Sequence, residues 1–416
     1  MAFLPWAAPA SDLTSPPADC PLPPTAPDAI PPAPDAGTLR VATYGAALSR
    51  RGPGLLLRDI EKQSPETEAA LRVIAAARAD VLLLTGIDWD DGGWALTALV
   101  ARLGEMGRDY PFRFAPRPNT GVPTGLDIDG NGRLDEARDA QGYGRFTGDG
   151  GMALLSRWPI DAEASRDFSA FLWRDLPGAL IDGAALPEGA AEIQRLSSAG
   201  HWDVALRTPA GRLHLWAWAA TPPLFDGPED RNGRRNHDEA AFWLRYLDGD
   251  LPQRPAPEPF VLLGNANLDP GDGTGRPAAL AALLADPRLR DPRPGSPGAL
   301  AAARRAEMPQ SSAPESGTPA CATVDWGAPR RPGFNRVDLV LPSAGLRVVQ
   351  AGVLWPADTA GAAPSESRSE AAEIAPRRGP ETTTKVNNES GFLKGWAKTV
   401  ALAGRHRLVW VDISLH

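Results

Sequence analysis

Short apolar strands alternate with amphipathic helices along this chain, and that alternation constrains its fold more than any other feature. Segment 39–48 predicts a strand, 66–79 a helix, 80–88 a buried strand and 93–107 a second helix. This order is typical of layered α/β folds, in which helices cover the faces of a sheet. Later strands are predicted at 152–160, 201–208, 213–220, 261–265, 336–343, 346–355 and 406–415, and later helices at 235–247 and 277–286.

Several predicted strands carry glycine, alanine or polar residues at their ends. Gly45, Gly86, Ala219, Asn265 and Arg405 all lie at or near such ends. In layered α/β folds, binding sites form where the strands end at one edge of the sheet. We therefore expect these five positions to belong to one region of the molecule.

The composition limits the classes of partner. The 416 residues are 43% hydrophobic, which is enough for a large core, and they carry a net charge of −8. An acidic balance argues against broad nucleic-acid binding, because phosphate backbones need a basic face. A small anionic ligand or a protein partner remains open. No apolar run reaches the length of a membrane span.

Three segments lack an apolar period. Residues 1–37 contain eleven prolines and predict a disordered tail, followed by one domain over 38–416. Within that domain, segments 300–333 and 357–393 are rich in Ala, Ser, Pro, Glu and Arg. They predict a loop and a low-complexity insertion.

The compartment stays open. The first basic residue is Arg40, so the basic start of a signal peptide is not visible in this sequence. Either the protein is cytoplasmic or its true signal is missing from the chain. Cys20 and Cys321 could form one disulfide, but both lie in Pro/Ala-rich segments, and the sequence leaves their pairing open.

Seven motifs, taken in order, resemble those of one known family. They are LRVATYGAAL, DVLLLTGID, GMALLSRWPI, TPPLFDGPEDRNGRRNHDEAAFW, VLLGNANLDP, NRVDLVLPS and HRLVWVDI. Their order and context resemble the endonuclease/exonuclease/phosphatase superfamily, and most closely its bacterial, often exported, branch. The resemblance covers 39–356 and 395–416. It implies a four-layer sandwich of two mixed β-sheets flanked by helices, and hydrolysis of phosphoester bonds with Mg²⁺ or Mn²⁺ in active members.

The resemblance also implies which catalytic positions are retained. Three polar positions match the family: Asn267, Asp338 and His406. Six positions are substituted, and they are Gly45 for Asn, Gly86 for the metal-binding Glu, Gly150 for Tyr, Ala219 for His, Asn265 for Asp and Arg405 for Asp.

These substitutions remove the chemistry that the family needs. Gly86 offers no side-chain ligand, Asn265 cannot take a proton near neutral pH, and Arg405 places a fixed positive charge where a carboxylate should stand. The sequence therefore predicts a catalytically degenerate pseudo-hydrolase with no cofactor. The alternative is an active Mg²⁺- or Mn²⁺-dependent phosphodiesterase or phosphatase whose ligands are rebuilt from Asp88, Asp90 and Asp149.

The retained residues have two interpretations each. Asp338 and His406 form either a retained catalytic pair or a structural hydrogen bond, and both interpretations predict that they lie close together. Asn267 is either a retained phosphate-binding amide or an amide that caps a turn.

An acidic segment that starts at Asp127 has the oxygen and glycine spacing of a calcium loop. Asp127, Asp129, Asn131 and Asp135 occupy liganding positions. Position twelve is Arg138, so the bidentate carboxylate is missing unless another residue, such as Glu136, supplies it. A solvated acidic turn and a calcium-stabilised extracellular binding module both remain open.

A second candidate cleft lies in the charged segment 228–239. Its polar side chains could line a ligand site, and they are Arg231, Asn232, Arg234, Asn236 and His237. The alternative is a helix start on a solvated loop, with Asn236 or Asp238 near the cap.

Overall fold

The structure is a computed structural model that describes residues 20, 30–271, 275–305, 319–327, 333–357 and 389–415. The first sheet contains β1 (Thr38–Leu48), β2 (Val81–Ile87), β3 (Phe112–Phe114), β4 (Gly151–Ser156), β12 (Arg347–Leu354) and β13 (Leu408–Ser414). The second contains β5 (Ile160–Asp167), β6 (His201–Thr208), β7 (Gly211–Ala219), β8 (Phe260–Asn265) and β11 (Asp338–Pro342). A short ribbon pairs β9 (Val324–Asp325) with β10 (Phe334–Asn335).

The helices follow the strands that they cover. They are α1 (Leu55–Glu61), α2 (Pro65–Ala77), α3 (Trp94–Glu105), α4 (Arg231–Asp248), α5 (Ala278–Leu284), α6 (Pro297–Arg305) and α7 (Glu389–Leu402). The start of α2 shows how the sequence sets a boundary. The Ser64 hydroxyl accepts a hydrogen bond from the Thr67 amide, and Pro65 occupies the first helical position.

Both sheets are mixed. The first has the strand order β12-β13-β1-β2-β4-β3, with β1 and β2 parallel and the other pairs antiparallel. The second has the order β11-β8-β7-β6-β5, with β7 and β8 parallel. Each parallel pair therefore ends at the same edge of its own sheet.

Three apolar layers hold the fold together. Between the sheets, Val41 and Leu83 of the first pack with Val204, Leu215 and Val340 of the second. A second core joins the outer face of the first sheet to helices α1, α2, α3 and α7. A third joins the outer face of the second sheet to α4 and α5. The order helix–sheet–sheet–helix confirms the predicted four-layer α/β sandwich.

Two predicted irregular segments contain regular structure. The predicted loop 300–333 contains the end of helix α6, a 3₁₀ turn at Pro319–Cys321 and strand β9. Helix α7 begins at Glu389, inside the predicted insertion 357–393. Helix α6 was not predicted because it is rich in alanine, which gives no hydrophobic contrast between the faces of a helix. The rest of both segments, and most of the predicted tail 1–37, lie outside the described residues.

Cys20 and Cys321 form a disulfide, with Cα atoms 5.5 Å apart. Both cysteines are buried and pack with Ala320. The pairing that the sequence left open therefore ties residue 20 to the 3₁₀ turn that precedes the short ribbon. Within the part of the chain that the structure describes, no helix combines the length and the apolar character needed to cross a membrane.

Candidate functional site

The predicted strand-end residues lie at the ends of neighbouring strands. Gly45 at the end of β1 pairs with Thr85 of β2. In the second sheet, Ala219 at the end of β7 pairs with Asn265 at the end of β8, and Asn265 pairs with Asp338 at the start of antiparallel β11. The sheet register thus places these positions at one edge of each sheet.

His406 joins the two edges. Its Nδ1 lies 2.8 Å from Oδ2 of Asp338, which belongs to the second sheet. The same ring lies against Gly45 of the first sheet, because a Cβ built on Gly45 would be 2.9 Å from His406 Cγ. We call this group, with Gly86, Asn265 and Arg405, the strand-end site.

Asp338 is fully buried and only partly satisfied. Its Oδ2 is bonded to His406, while its Oδ1 has no hydrogen-bond partner among the described residues. Its backbone amide donates to the Thr323 hydroxyl. The edge of Trp326 packs against the His406 ring, with ring centroids 5.4 Å apart. Asp338 therefore fixes the orientation of the imidazole, which is what both interpretations of this pair require.

Gly45 leaves no room for the family's asparagine. A Cβ contact of 2.9 Å is shorter than real side chains tolerate, so any side chain at this position must displace His406 or the backbone. The substitution and the position of the histidine ring are therefore coupled. A chain that restored the asparagine alone would lose the observed ring position.

The side-chain amides of Asn265 and Asn267, in the turn after β8, form hydrogen bonds within the protein. The Asn265 side-chain oxygen accepts a hydrogen bond of 2.7 Å from the Asn267 amide. Asn267 adopts a left-handed conformation, and its side-chain Nδ2 donates to the Ala220 carbonyl at 2.6 Å. These bonds are those of a turn-capping amide.

Gly86 and Gly150 share a left-handed backbone, with φ of +67° at each. No heavy atom of the described residues outside its chain neighbours lies within 4 Å of a Cβ built on Gly86, so there is room for a Cβ. The conformation is the obstacle, since a residue with a Cβ pays roughly 1–2 kcal/mol there. Glycine therefore fits the backbone conformation at position 86, but it supplies no side-chain ligand for a metal.

The nearby carboxylates are already engaged. Asp88 accepts hydrogen bonds from the amides of Arg50 and Gly150, at 2.7 and 3.1 Å. Burial raises its pKa to about 6, and the charge of Asp149 adds to the rise. Asp90 caps helix α3 by accepting from the two amides at its start.

Asp149 is held by an arginine. Arg145 donates to both carboxylate oxygens, with Nε–Oδ2 at 2.7 Å and Nη2–Oδ1 at 2.8 Å. Ser49 donates a third hydrogen bond at 2.6 Å. Burial acts to raise the Asp149 pKa, but the hydrogen bonds and charge of Arg145 outweigh it and leave the pKa lowered.

Arg405 stands half-buried beside His406. Its carbonyl, like those of its two neighbours, accepts a hydrogen bond from Nη1 of Arg407. Arg407 is itself buried, with its guanidinium 4.6 Å from the Trp355 ring. The hydrogen bonds of Arg407 therefore hold the loop that carries His406. The sequence alone did not indicate this role of Arg407.

The acidic segment converges on a different residue set from the predicted one. Ligand atoms of Asp127, Asp129 and Asp139 lie within 4.8 Å of one another, and they are the one such group found among the described residues. Asp139 replaces Asp135 in this group, because the chain turns back after Asp135, whose φ is +62°. Asn131 faces Glu136, to which its Nδ2 donates.

The five side chains of the predicted second cleft bond mainly to the protein. Arg231 donates to the carbonyls of Ile128, Ala184 and Ala185, and Asn236 to those of Thr221 and Ala266. The other three form hydrogen bonds with residues close to them in sequence. Asn232 donates to the Leu224 carbonyl, Arg234 donates to the Glu229 carbonyl, and His237 pairs with the Asp238 carboxylate. These bonds anchor the start of α4, but the helix begins at Arg231, so neither Asn236 nor Asp238 lies at its cap.

A cleft of about 440 Å³ opens beside Gly150, and sequence reasoning did not find it. Its lining comes from three separate segments, and consists of Ser49, Thr120, Tyr143, Arg145, Asp149 and Gly150. The glycine-rich stretch before β4 was the one local signal, since it predicts a tight turn at this place.

The sequence model of the Endonuclease/Exonuclease/phosphatase family matches residues 55–366. The chain belongs to this family. The match runs from the start of α1 beyond the end of β12, so it includes Gly86, Asn265, Asn267 and Asp338. The family membership that the motifs predicted is therefore confirmed.

Solved structures of endonuclease/exonuclease/phosphatase proteins are similar to the chain at low identity. One from Beutenbergia cavernae is 17% identical, with a TM-score of 0.48 over 91% of this chain and 71% of that one. One from Leptotrichia buccalis is 13% identical, with a TM-score of 0.46 over 90% and 99%. Sphingomyelinase C from Streptomyces griseocarneus is 18% identical, with a TM-score of 0.41 over 90% and 99%. A comparison with curated proteins gives no significant match.

Proposed function

We propose that this protein is a non-catalytic member of the family, which keeps the scaffold and uses it for binding. The observation that carries the proposal is the composition of the strand-end site. Gly86, Asn265 and Arg405 stand where active members have three carboxylates. The site has lost three negative charges and gained a positive one at the place where a divalent cation should bind.

The residues present do not fit the metal that the family implies. Mg²⁺ and Mn²⁺ prefer carboxylate oxygens. Among the described residues, the strand-end site contributes no group of three acidic or histidine ligands, and its buried carboxylate Asp338 is bonded to His406. We therefore assign no catalytic step to a metal at this place.

Rebuilding the ligand set from neighbours would require several bonds to break. Asp88 would leave two backbone amides, Asp90 would uncap α3, and Asp149 would leave Arg145 and Ser49. Each loss leaves a buried donor or a helix end without its partner, which costs about 1–3 kcal/mol. This cost weighs against the alternative of an active enzyme with rearranged ligands.

In this proposal the Asp338–His406 pair is structural. It connects the start of β11 to the loop before β13 and so fastens the two sheets at their shared edge. Arg405, half-buried, lies directly before this pair's histidine and adds a positive charge there.

Hydrolysis of bis(4-nitrophenyl) phosphate tests the proposal. The natural chain and His406→Ala are compared with Mg²⁺, with Mn²⁺ and with a chelator. We expect equal rates at the level of the buffer for both proteins in all three conditions. Metal-dependent turnover by the natural chain that His406→Ala removes would overturn the proposal.

A further inference from the structure

The loop between β7 and α4 presents two adjacent apolar side chains to solvent. Leu224 is 48% exposed and Phe225 is 70% exposed, although most large hydrophobic residues of the described chain are buried. Phe225 also has a φ of +71°, a left-handed conformation that strains any residue with a Cβ. Strained residues of this kind are concentrated at functional sites. We call Leu224 and Phe225 the loop tip.

Hydrogen bonds and close packing hold the loop tip in place. Nδ2 of Asn232, in the first turn of α4, donates to the Leu224 carbonyl at 2.7 Å, and the Asn232 amide donates to Oδ2 of Asp226 at 2.5 Å. On the other side, a Cβ built on Gly275 would lie only 2.7 Å from Cβ of Pro223. The two exposed side chains therefore belong to an ordered surface.

The loop tip lies at the edge of the second sheet that carries the strand-end site. The end of β7 pairs with the end of β8, which in turn pairs with the start of β11. Since neighbouring strands lie about 4.8 Å apart, the end of β7 lies about 10 Å from the start of β11. Leu224 follows Ala219, the last residue of β7, by five positions.

The disulfide brings the N-terminal part of the chain to the same edge. Cys321 is bonded to Cys20 and lies two positions before Thr323, whose hydroxyl accepts the amide of Asp338 at the start of β11. Residue 20 is therefore anchored near the start of β11, two strands away from the end of β7. Residues 1–19 precede this anchor in the sequence.

The sequence before the anchor contains an apolar segment. Residues 1–10 read MAFLPWAAPA, carry no charged side chain and include Phe3, Leu4 and Trp6. Trp6 precedes Cys20 by fourteen positions, and a chain of that length spans up to about 46 Å. The segment can therefore reach the loop tip from its anchor.

The small size of the loop tip favours an occupant that is tethered nearby. A stable interface between separate proteins buries about 800 Å² on each partner. A single aromatic side chain supplies only about 150–250 Å², so two side chains fall well short of that area. A segment on a short tether binds at an effective concentration on the order of millimolar, and a small patch then suffices.

We propose that residues 1–10 bind the loop tip of the same chain, with Phe3, Leu4 and Trp6 packed on its two side chains. The contact removes apolar surface of both parts from water. Any partner that binds this edge through the loop tip must then displace the segment. The contact lies within one chain, so it holds whether or not the strand-end site is catalytic.

Photo-crosslinking from the loop tip tests the proposal. The photoreactive amino acid p-benzoylphenylalanine replaces Phe225 in the full chain, and mass spectrometry identifies what it captures. We expect capture of residues 1–10 in a product with the mass of one chain. The matched control carries the same amino acid in place of Trp94, which is 67% exposed at the start of α3. Capture of residues 1–10 from that position should be much weaker.

Changes within the segment separate a specific contact from proximity. Phe3→Ser with Trp6→Ser should lower the yield from position 225 at least about tenfold, because the burial of one large apolar side chain shifts an equilibrium by that factor or more. Ala7→Ser with Ala8→Ser is the matched control and should leave the yield nearly unchanged.

Four results would overturn the proposal. They are capture of no residue in segment 1–10, a product with the mass of two chains, equal capture of the segment from positions 94 and 225, and a yield that does not respond to Phe3→Ser with Trp6→Ser. Phosphatidylcholine vesicles test a lipid surface as the alternative occupant. Capture of lipid in place of residues 1–10 would also show the proposal to be wrong.

Discussion

The His406 ring occupies the space that a side chain on Gly45 would need, with a built Cβ only 2.9 Å from His406 Cγ. Gly45→Ala should therefore destabilise the fold by about 1–3 kcal/mol, the usual cost of overpacking. In a His406→Ala background the ring contacts are gone and only the Cβ contact of 3.1 Å remains, so the same change should cost less. A double-mutant cycle by urea unfolding measures the difference. Equal costs in both backgrounds would show that the ring and the glycine are not coupled.

Asp88 should make stability fall as pH rises. Burial raises its pKa to about 6 in the folded protein, against 3.8 for an unperturbed aspartate. The folded state then holds a proton that the unfolded state has lost, so stability is highest below pH 4 and declines through pH 6. The decline is bounded by about 3 kcal/mol. Asp88→Asn cannot ionise and should lack this contribution.

Asp149→Asn is the control for that titration, because its pKa shift has the opposite sign. The folded Asp149 has a lowered pKa, so its contribution is present at neutral pH and is lost as pH falls through the folded value. Thermal unfolding between pH 3 and 7 should show opposite slopes for the differences between each variant and the natural chain. Slopes of the same sign would contradict the assignment.

The acidic loop should bind Ca²⁺ through Asp127, Asp129 and Asp139. One oxygen of each of these carboxylates lies within 4.8 Å of those of the others, close enough for one hard cation to contact all three. Adding Ca²⁺ at about 100 times its Kd should stabilise the fold by about 2.7 kcal/mol. Asp139→Asn should remove that gain in a melting experiment, whereas Asp135→Asn should retain it. A melting temperature that does not respond to Ca²⁺ or to a chelator would favour the solvated turn.

The disulfide should contribute to stability. Cys20 and Cys321 are both buried. Their disulfide links two positions that are 301 residues apart in the sequence. Replacing both by serine should lower the free energy of unfolding by about 2–5 kcal/mol. Thiol titration of the denatured natural chain without reductant should find no free thiol. Two reactive thiols per chain would show that the bond does not form.

Strands with strong apolar runs could be predicted from the sequence. Strand β6 has the predicted bounds, 201–208. Its side chains are buried on both faces of the sheet along most of its length, so the strand is a continuous apolar run. The predicted strand 152–160 is instead two strands. The turn around Trp158 ends β4, since the Ser156 hydroxyl bonds to both the amide and the carbonyl of Trp158.

The start of α4 could not be predicted from apolar periodicity. The helix begins at Arg231, four residues before the predicted start, and its first turns bury polar side chains. Arg235 donates to the Leu196 carbonyl, and Glu239 accepts from the amides of Ser198 and Thr221. A helix face that is satisfied by hydrogen bonds carries no hydrophobic signal.

Some of the candidate sites could be located from the sequence, and others could not. The strand-end residues could be located because each lies at or near the end of a recognisable strand and belongs to a motif that resembles the family's. Asp139 and the cleft could not, because they depend on how distant loops return. Ser49 and Arg145 are 96 residues apart, yet their side chains form a hydrogen bond of 3.2 Å.

The central claim is that the strand-end site has lost its metal, and Mn²⁺ binding followed by electron paramagnetic resonance tests it most directly. Asp127→Asn serves as the background for every protein, so that the acidic loop does not contribute. We expect the otherwise natural chain to leave the signal of free Mn²⁺ unchanged. Adding Gly86→Glu, Asn265→Asp and Arg405→Asp together should create binding. Stoichiometric Mn²⁺ binding by the otherwise natural chain, lost on Asp88→Asn or Asp149→Asn, would contradict the account.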